Sequence, residues 1–261
     1  MRHTFIIFSK LCDLNFKRLL TYRASFLISM LLMGMWVFAY ALLIEVIFSH
    51  TPDLAGWGKG EVLMIMTFYY LVQNLSDIFF KDDIENFGEL VRRGDLDLRI
   101  TKPAPTRLLS FFWTMRFDHT ASLISTGLLF AYALHNLEVL PTLTQLAAGF
   151  GLMLVALLLY FSILSLIATF TFWISKNDSF NSLIFNLSQL ARYPRQIYTS
   201  FFSRFITFGL PLALIATVPA EAALDRSEAF VPLYLIGITV VFYAGSRLFW
   251  YYGMRHYTSA N

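Results

Sequence analysis

The chain has 261 residues, 57% of them hydrophobic and 14% charged, with a net charge of +3. Ordinary globular domains are about 45–50% apolar and about 25% charged, so a soluble fold would lack the polar surface to cover itself. The mild positive balance leaves no electrostatic footprint for nucleic acid, and the single cysteine, Cys12, excludes an intramolecular disulfide framework.

The chain opens MRHTFIIFSKLCDLNFKRLL, which is interrupted by charges and has no cleavage-site pattern, so a removable signal peptide is not expected. Residues 1–23 predict an amphipathic helix. His3, Lys10, Asp13, Lys17 and Thr21 fall on one face, and Phe5, Phe8, Cys12, Phe16 and Leu19 on another. Such a helix either lies in the cytoplasmic interface plane or packs on the protein's own cytoplasmic surface.

A spanning helix takes about 20 mostly apolar residues to cross roughly 30 Å of hydrocarbon. Six stretches qualify, at about 24–48, 62–80, 117–137, 143–174, 205–219 and 230–252. The fourth is long enough to tilt or project into water, and the fifth is short and interrupted by Pro211. The expected fold class is therefore an all-α integral membrane protein, one transmembrane domain over residues 1–261.

Lysine and arginine are retained on the cytoplasmic side. With six spans, eighteen of the twenty basic residues fall on one side, and only Lys59 and Arg226 on the other. Both termini are then cytoplasmic. Five or seven spans would break this asymmetry. Trp57, Trp113, Trp173 and Trp250 fall at the expected span ends, where indole rings favour the headgroup level.

Several chemistries are absent. There is no GxxxxGK[ST] phosphate loop; Gly56-Trp57-Gly58-Lys59-Gly60 lacks its spacing and its Ser or Thr. The five histidines form no ligand spacing, and no GxSxG elbow is present. Ionisable groups inside a bilayer are functional candidates by default, but Glu45, Asp77 and Asp118 fall near span ends. Gln73 and Asn74, in the inner half of the second span, either hydrogen-bond between helices or line a substrate path. Spans this apolar argue that driving energy enters from outside the membrane.

The loop from Asp82 to Leu109, DDIENFGELVRRGDLDLRITKPAPTRLL, mixes acids and bases densely. Ile84–Arg93 predicts a short cytoplasmic helix closed by Gly94. Asp95–Ile100 then alternates polar and apolar residues before Pro103 and Pro105.

Here the chain resembles a known family. A glutamate-containing short helix followed by Arg-Gly-Asp-Leu-Asp-Leu-Arg-Ile-Thr-Lys-Pro is similar to the G-x-L-D/E-x-L-L-x-x-P element of type-two ABC exporter permeases. Asn186…Tyr193-Pro194, Pro211 and Val218-Pro219-Ala220 resemble the N…YP…P…PA pattern of one bacterial branch. Thr101-Lys102 and Ala104 depart from the more hydrophobic form of the loop element.

The resemblance implies a multi-pass permease of the bacterial cytoplasmic membrane that pairs with a second permease subunit and contacts membrane lipid. Each permease docks one ABC ATP-binding subunit, which binds ATP and Mg, so no cofactor is expected in this chain. The loop helix would be the coupling helix, with Glu85, Glu89, Leu90, Arg92 and Arg93 as its contact residues. Pro219–Asp225 would form a short outer helix. Arg192-Tyr193-Pro194-Arg195 reads either as a second contact with the motor subunit or as a basic cluster drawn to anionic lipid. The expected function is export of a hydrophobic or amphipathic substrate. The alternative is a membrane-embedded scaffold without transport of its own.

Overall fold

The computed structural model describes residues 2–21, 23–174 and 186–258, and these are helical with no strand among them. Lys176 lies outside the described residues, as do the side chains of His3, Phe5, Leu19 and Thr21. The helices are α1 (Arg2–Thr21), α2 (Arg23–Phe48) and α3 (Lys59–Phe79), then four short ones, α4 (Lys81–Glu85), α5 (Phe87–Arg92), α6 (Asp95–Ile100) and α7 (Thr106–Phe111). They continue with α8 (Thr120–His135), α9 (Leu143–Thr169), α10 (Ser200–Arg204) running into a π-helical turn at Phe205–Gly209, α11 (Leu214–Ala223) and α12 (Phe230–His256). Among the described residues, α3, α9 with its extension to Phe172, and α12 are long and apolar enough to cross a membrane. A fourth crossing exists only if the bent pair 201–209 and 214–223 counts as one.

Local chemistry sets the ends of these helices. At the start of α9 the Gln145 amide donates to the Thr142 hydroxyl, and the Gln145 side chain accepts from the Thr142 amide at 2.7 Å. This reciprocal cap satisfies two donors that a helix start leaves orphaned. Glu61 caps α3 by accepting from the Gly58 amide at 2.8 Å.

Burial ranks the helices. The apolar window of α3 is 72% buried against 22% for α12. α3 is thus the interior helix, held between α8, α9 and α11, whereas α12 turns Leu233, Val240, Val241 and Leu248 outward. α9 packs along both α11 and α12. Its Gly149 permits the close approach of α11, because a Cβ there would lie 2.8 Å from the Ala223 Cβ and 2.9 Å from the Pro219 carbonyl oxygen.

The bent pair corrects the expected fifth crossing at 205–219. Pro211 falls in the break, where proline supplies no amide and cannot continue a helix. The two helices meet at 90°, tied by the Ala213 amide donating to the Ile206 carbonyl at 3.1 Å. Both outer ends of the pair return to one level. Arg195, just before α10, pairs with Glu221 of α11 at 3.5 Å, and Arg226, just after α11, pairs with Glu61 of α3 at 2.5 Å. The pair therefore enters and leaves at the Lys59 end of α3.

The chain reaches that end by running antiparallel to α3. Ser188 accepts from Gln73, Arg192 lies over the Tyr69 ring, and Arg195 lies at the level of Glu61 and Arg226. Phe172 packs instead on Phe87, beyond the opposite end of α3. Residues 188–195 thus run along α3 toward its Lys59 end. Arg195 belongs with Lys59 and Arg226, not with the eighteen residues of the other side. It was misassigned because the charge rule assumes free charges, and this guanidinium is paired.

α1 packs on the protein itself. Leu11, Ile7 and Phe8 meet Leu109, Met115 and Phe112, and Asn15 donates to the Trp113 carbonyl at 3.0 Å. Ile6, Leu14 and Phe16 remain exposed.

Candidate functional site

The four short helices after α3 form a platform on the ends of α9 and α12. The platform is anchored by aromatic rings. Phe87 is fully buried, with its ring 5.3 Å from Phe111, 5.4 Å from Trp250 and 5.6 Å from Phe172. The two edge-on pairs, with Phe111 and Phe172, each add about 0.5–1.5 kcal/mol beyond burial. Polar ties fix the backbone. Arg99 donates to the Leu109 carbonyl at 2.7 Å, and the Arg116 amide to the Ile78 carbonyl at 2.9 Å.

The expected single helix Ile84–Arg93 is broken into α4 and α5 at Asn86. The Asn86 amide side chain donates to the Asp82 carbonyl at 2.8 Å, the local competition with helical bonding that disfavours asparagine inside helices. Gly94 ends α5 with φ +76°, a left-handed conformation that favours glycine. Asp95–Ile100, read as an alternating stretch, is instead the short helix α6.

The five loop residues singled out from the sequence do not share one environment. Leu90 packs toward the core. Glu85, Arg92 and Arg93 are exposed, and Glu89 is half-exposed between the two arginines, paired with Arg93 and 4.0 Å from Arg92. Beside them α6 exposes Leu98 and Ile100. The result is a mixed charged and apolar surface carried by a buried aromatic root. The sequence reading missed Phe87, Leu98 and Ile100. The only available signal was the apolar register of α6, with Leu96 buried and Leu98 and Ile100 left outside.

Asp83 is buried under this platform and accepts from the Thr114 amide at 2.7 Å. Burial pushes its carboxyl up to about 6, against the opposing pull of that hydrogen bond. The folded protein therefore holds this proton at pH values where the unfolded chain, near 3.9, has lost it. Its contribution to stability is full below about pH 4 and is lost as pH rises through 6. Asp83→Asn keeps an acceptor for Thr114 and removes the ionisation cost. It is expected to stabilise the protein at pH 7.5 by at most about 3 kcal/mol, with no gain at pH 4. Thermal unfolding in detergent at the two pH values checks this, and an equal effect at both would rule out the assignment.

Inside the helix bundle, Gln73 and Asn74 are both buried and both bond to other elements. Asn74 donates to the Thr126 hydroxyl of α8 at 2.8 Å, and Gln73 to Tyr160 of α9 at 3.5 Å and Ser188 at 3.4 Å. These contacts have the geometry of interhelical ties. One turn further along, Arg192 is buried with its guanidinium 4.0 Å from the Tyr40 ring centroid and 5.3 Å from that of Tyr69, donating to the Gln189 carbonyl at 2.8 Å. Aromatic faces supply the cation with an electrostatic partner. Arg192 is thus buried against aromatic rings and Arg195 is half-buried beside Glu221, and both lie toward the end of α3 opposite the α5 platform. Neither forms the surface cluster expected of them. Glu45, Asp77 and Asp118 all sit at helix ends beside cations, at 3.1 Å from Lys59, 2.7 Å from Lys81 and 2.8 Å from Arg116.

Among the described residues no group of acidic, histidine and cysteine side chains could hold a metal. A family model described as ABC-2 family transporter protein matches residues 13–261. No curated protein and no solved structure matches the chain.

Proposed function

The chain belongs to the ABC-2 transporter family, and from that premise we propose that it is the permease subunit of a bacterial ABC exporter. ATP and Mg are bound by a separate ATPase subunit, and a second permease completes the pathway for a hydrophobic or amphipathic substrate. The observation that carries this reading is the family match over residues 13–261. What supports the docking position is the α5–α6 surface, where Glu89, Arg92, Arg93 and exposed Leu98 stand on a root of aromatic rings.

Six crossings fit the same reading. At about 1.5 Å per residue, the 26 residues of α2 reach roughly 39 Å. The 16 residues of α8 reach only about 24 Å and need the preceding turn Phe117–His119 to approach roughly 30 Å. With α3, α9 and α12 the described helices supply five, and this reading takes six in all. The bent pair then re-enters from the outer face, and both termini are cytoplasmic.

The test is purification from the native membrane in mild detergent, followed by reconstitution of the complex recovered. The expected result is a stable complex with ATP-dependent movement of an amphipathic dye. Failure to recover any ATPase with the intact permease would overturn the reading in favour of a scaffold.

A further inference from the structure

A cleft of about 990 Å³ opens between α1, α7, α9 and α12. Its wall along α9 is apolar, formed by Leu154, Leu157, Leu158 and Phe161. Two cations, Arg107 of α7 and Arg247 of α12, stand at its platform end. Arg107 donates to the hydroxyls of Ser165 at 2.9 Å and Ser246 at 2.8 Å, yet its Nε is buried with no hydrogen-bond partner. Among the described residues neither arginine forms an ion pair; of the other cations of the loop region, Lys81, Arg92, Arg93 and Arg116 form one and Arg99 and Lys102 do not. Burial, with a smaller contribution from the like charge of Arg247, holds the Arg107 guanidinium down to about 10. A half-buried cation facing a second cation lacks an anion.

The length of the cleft says which kind. Its α9 wall runs from Leu154 to Phe161, about 10 Å of helix rise, and Ser165, which bonds Arg107 about one turn beyond, brings the reach from the cation to Leu154 to about 16 Å, roughly one leaflet of a 30 Å hydrocarbon core. Leu154 and Leu158 are 60% and 42% exposed, so this wall opens sideways. We propose that the cleft holds an anionic phospholipid of the cytoplasmic leaflet, its phosphate between Arg107 and Arg247 and one acyl chain along Leu154, Leu158 and Phe161. The assignment of leaflet rests on the membrane orientation given above. A free phosphate would satisfy the arginines and leave the apolar wall without purpose.

The full-length protein, purified and incubated with equal amounts of phosphatidylglycerol and phosphatidylcholine, should retain phosphatidylglycerol in preference by native mass spectrometry. A basic residue near the surface accounts for about fivefold in anionic-lipid affinity, so Arg247→Gln should lower the preference about fivefold. Leu158→Trp should lower retention of both lipids by filling the cleft. Arg255→Gln, on the same helix but outside the cleft, should change nothing. Arg107→Gln carries less weight, because it also removes the ties to Ser165 and Ser246. Equal retention of the two lipids by the unaltered protein would overturn the proposal. So would an unchanged preference in Arg247→Gln, an equal loss in Arg255→Gln, or thermal stabilisation by millimolar inorganic phosphate matching that by phosphatidylglycerol.

Discussion

Arg92→Glu combined with Arg93→Glu is expected to reduce ATP-driven transport by roughly 100-fold while leaving the helical fold and its melting temperature nearly unchanged. The two arginines are exposed at 55% and 66% of their side chains, and their shared partner is Glu89. Exposed pairs of this kind contribute about 0.2–1 kcal/mol to stability, so the fold loses little. A docked partner responds differently. Like charges forced together across an interface cost several kcal/mol, and each 1.4 kcal/mol is a factor of ten in affinity. The loop keeps Lys81, Arg99, Lys102, Arg107 and Arg116, so the charge bias that orients the membrane domain survives. ATPase co-purification and transport in proteoliposomes measure the effect, with circular dichroism as the control for folding. Normal transport by the double variant would show that α5 is not where the motor docks.

Leu98→Asp separates the apolar part of that surface from the charged part. Leu98 is 66% exposed on α6, which packs on the helix α5 that carries Glu89, so its loss should weaken docking without the repulsion.

Much of this architecture was legible because hydropathy and helix stops act locally. The apolar runs became α3, α9 and α12, and Gly94 ended α5 where the sequence places it. What could not be read depended on partners distant in sequence. Pro211 marks a break in either reading, but only the pairs Arg195–Glu221 and Arg226–Glu61 reveal that the chain turns back there. Arg192 looked like a surface cation because nothing nearby in sequence announces Tyr40 and Tyr69. Gln73 and Asn74 bond to partners on α8, on α9 and at Ser188, none of them near in sequence. Phe87 carried no signal in a chain with 27 phenylalanines.

Phe87 is also where the largest loss of stability is expected. Its side chain has no exposed area and touches rings on three other parts of the chain, Phe111 in α7, Phe172 after α9 and Trp250 in α12. Phe87→Ala deletes the ring and leaves a cavity among residues that are themselves locked by packing, a change that costs about 3–5 kcal/mol. Phe87→Leu retains most of the volume and should cost less than about 1.5 kcal/mol plus the ring–ring term. The two variants separate anchoring from folding. If the ring links α5 to the ends of α9 and α12, then Phe87→Leu, still folded at the assay temperature, should keep its ATPase partner bound but uncouple hydrolysis from transport. The charge-reversed surface, by contrast, should lose the partner outright. Thermal unfolding of both Phe87 variants, with ATPase and transport rates from the same proteoliposomes, decides the matter. Full transport by Phe87→Leu would confine this residue to holding the platform in place. A slack root that still hydrolyses ATP would mean that movement of the motor reaches the spans through the ring cluster at Phe87, Phe111, Phe172 and Trp250.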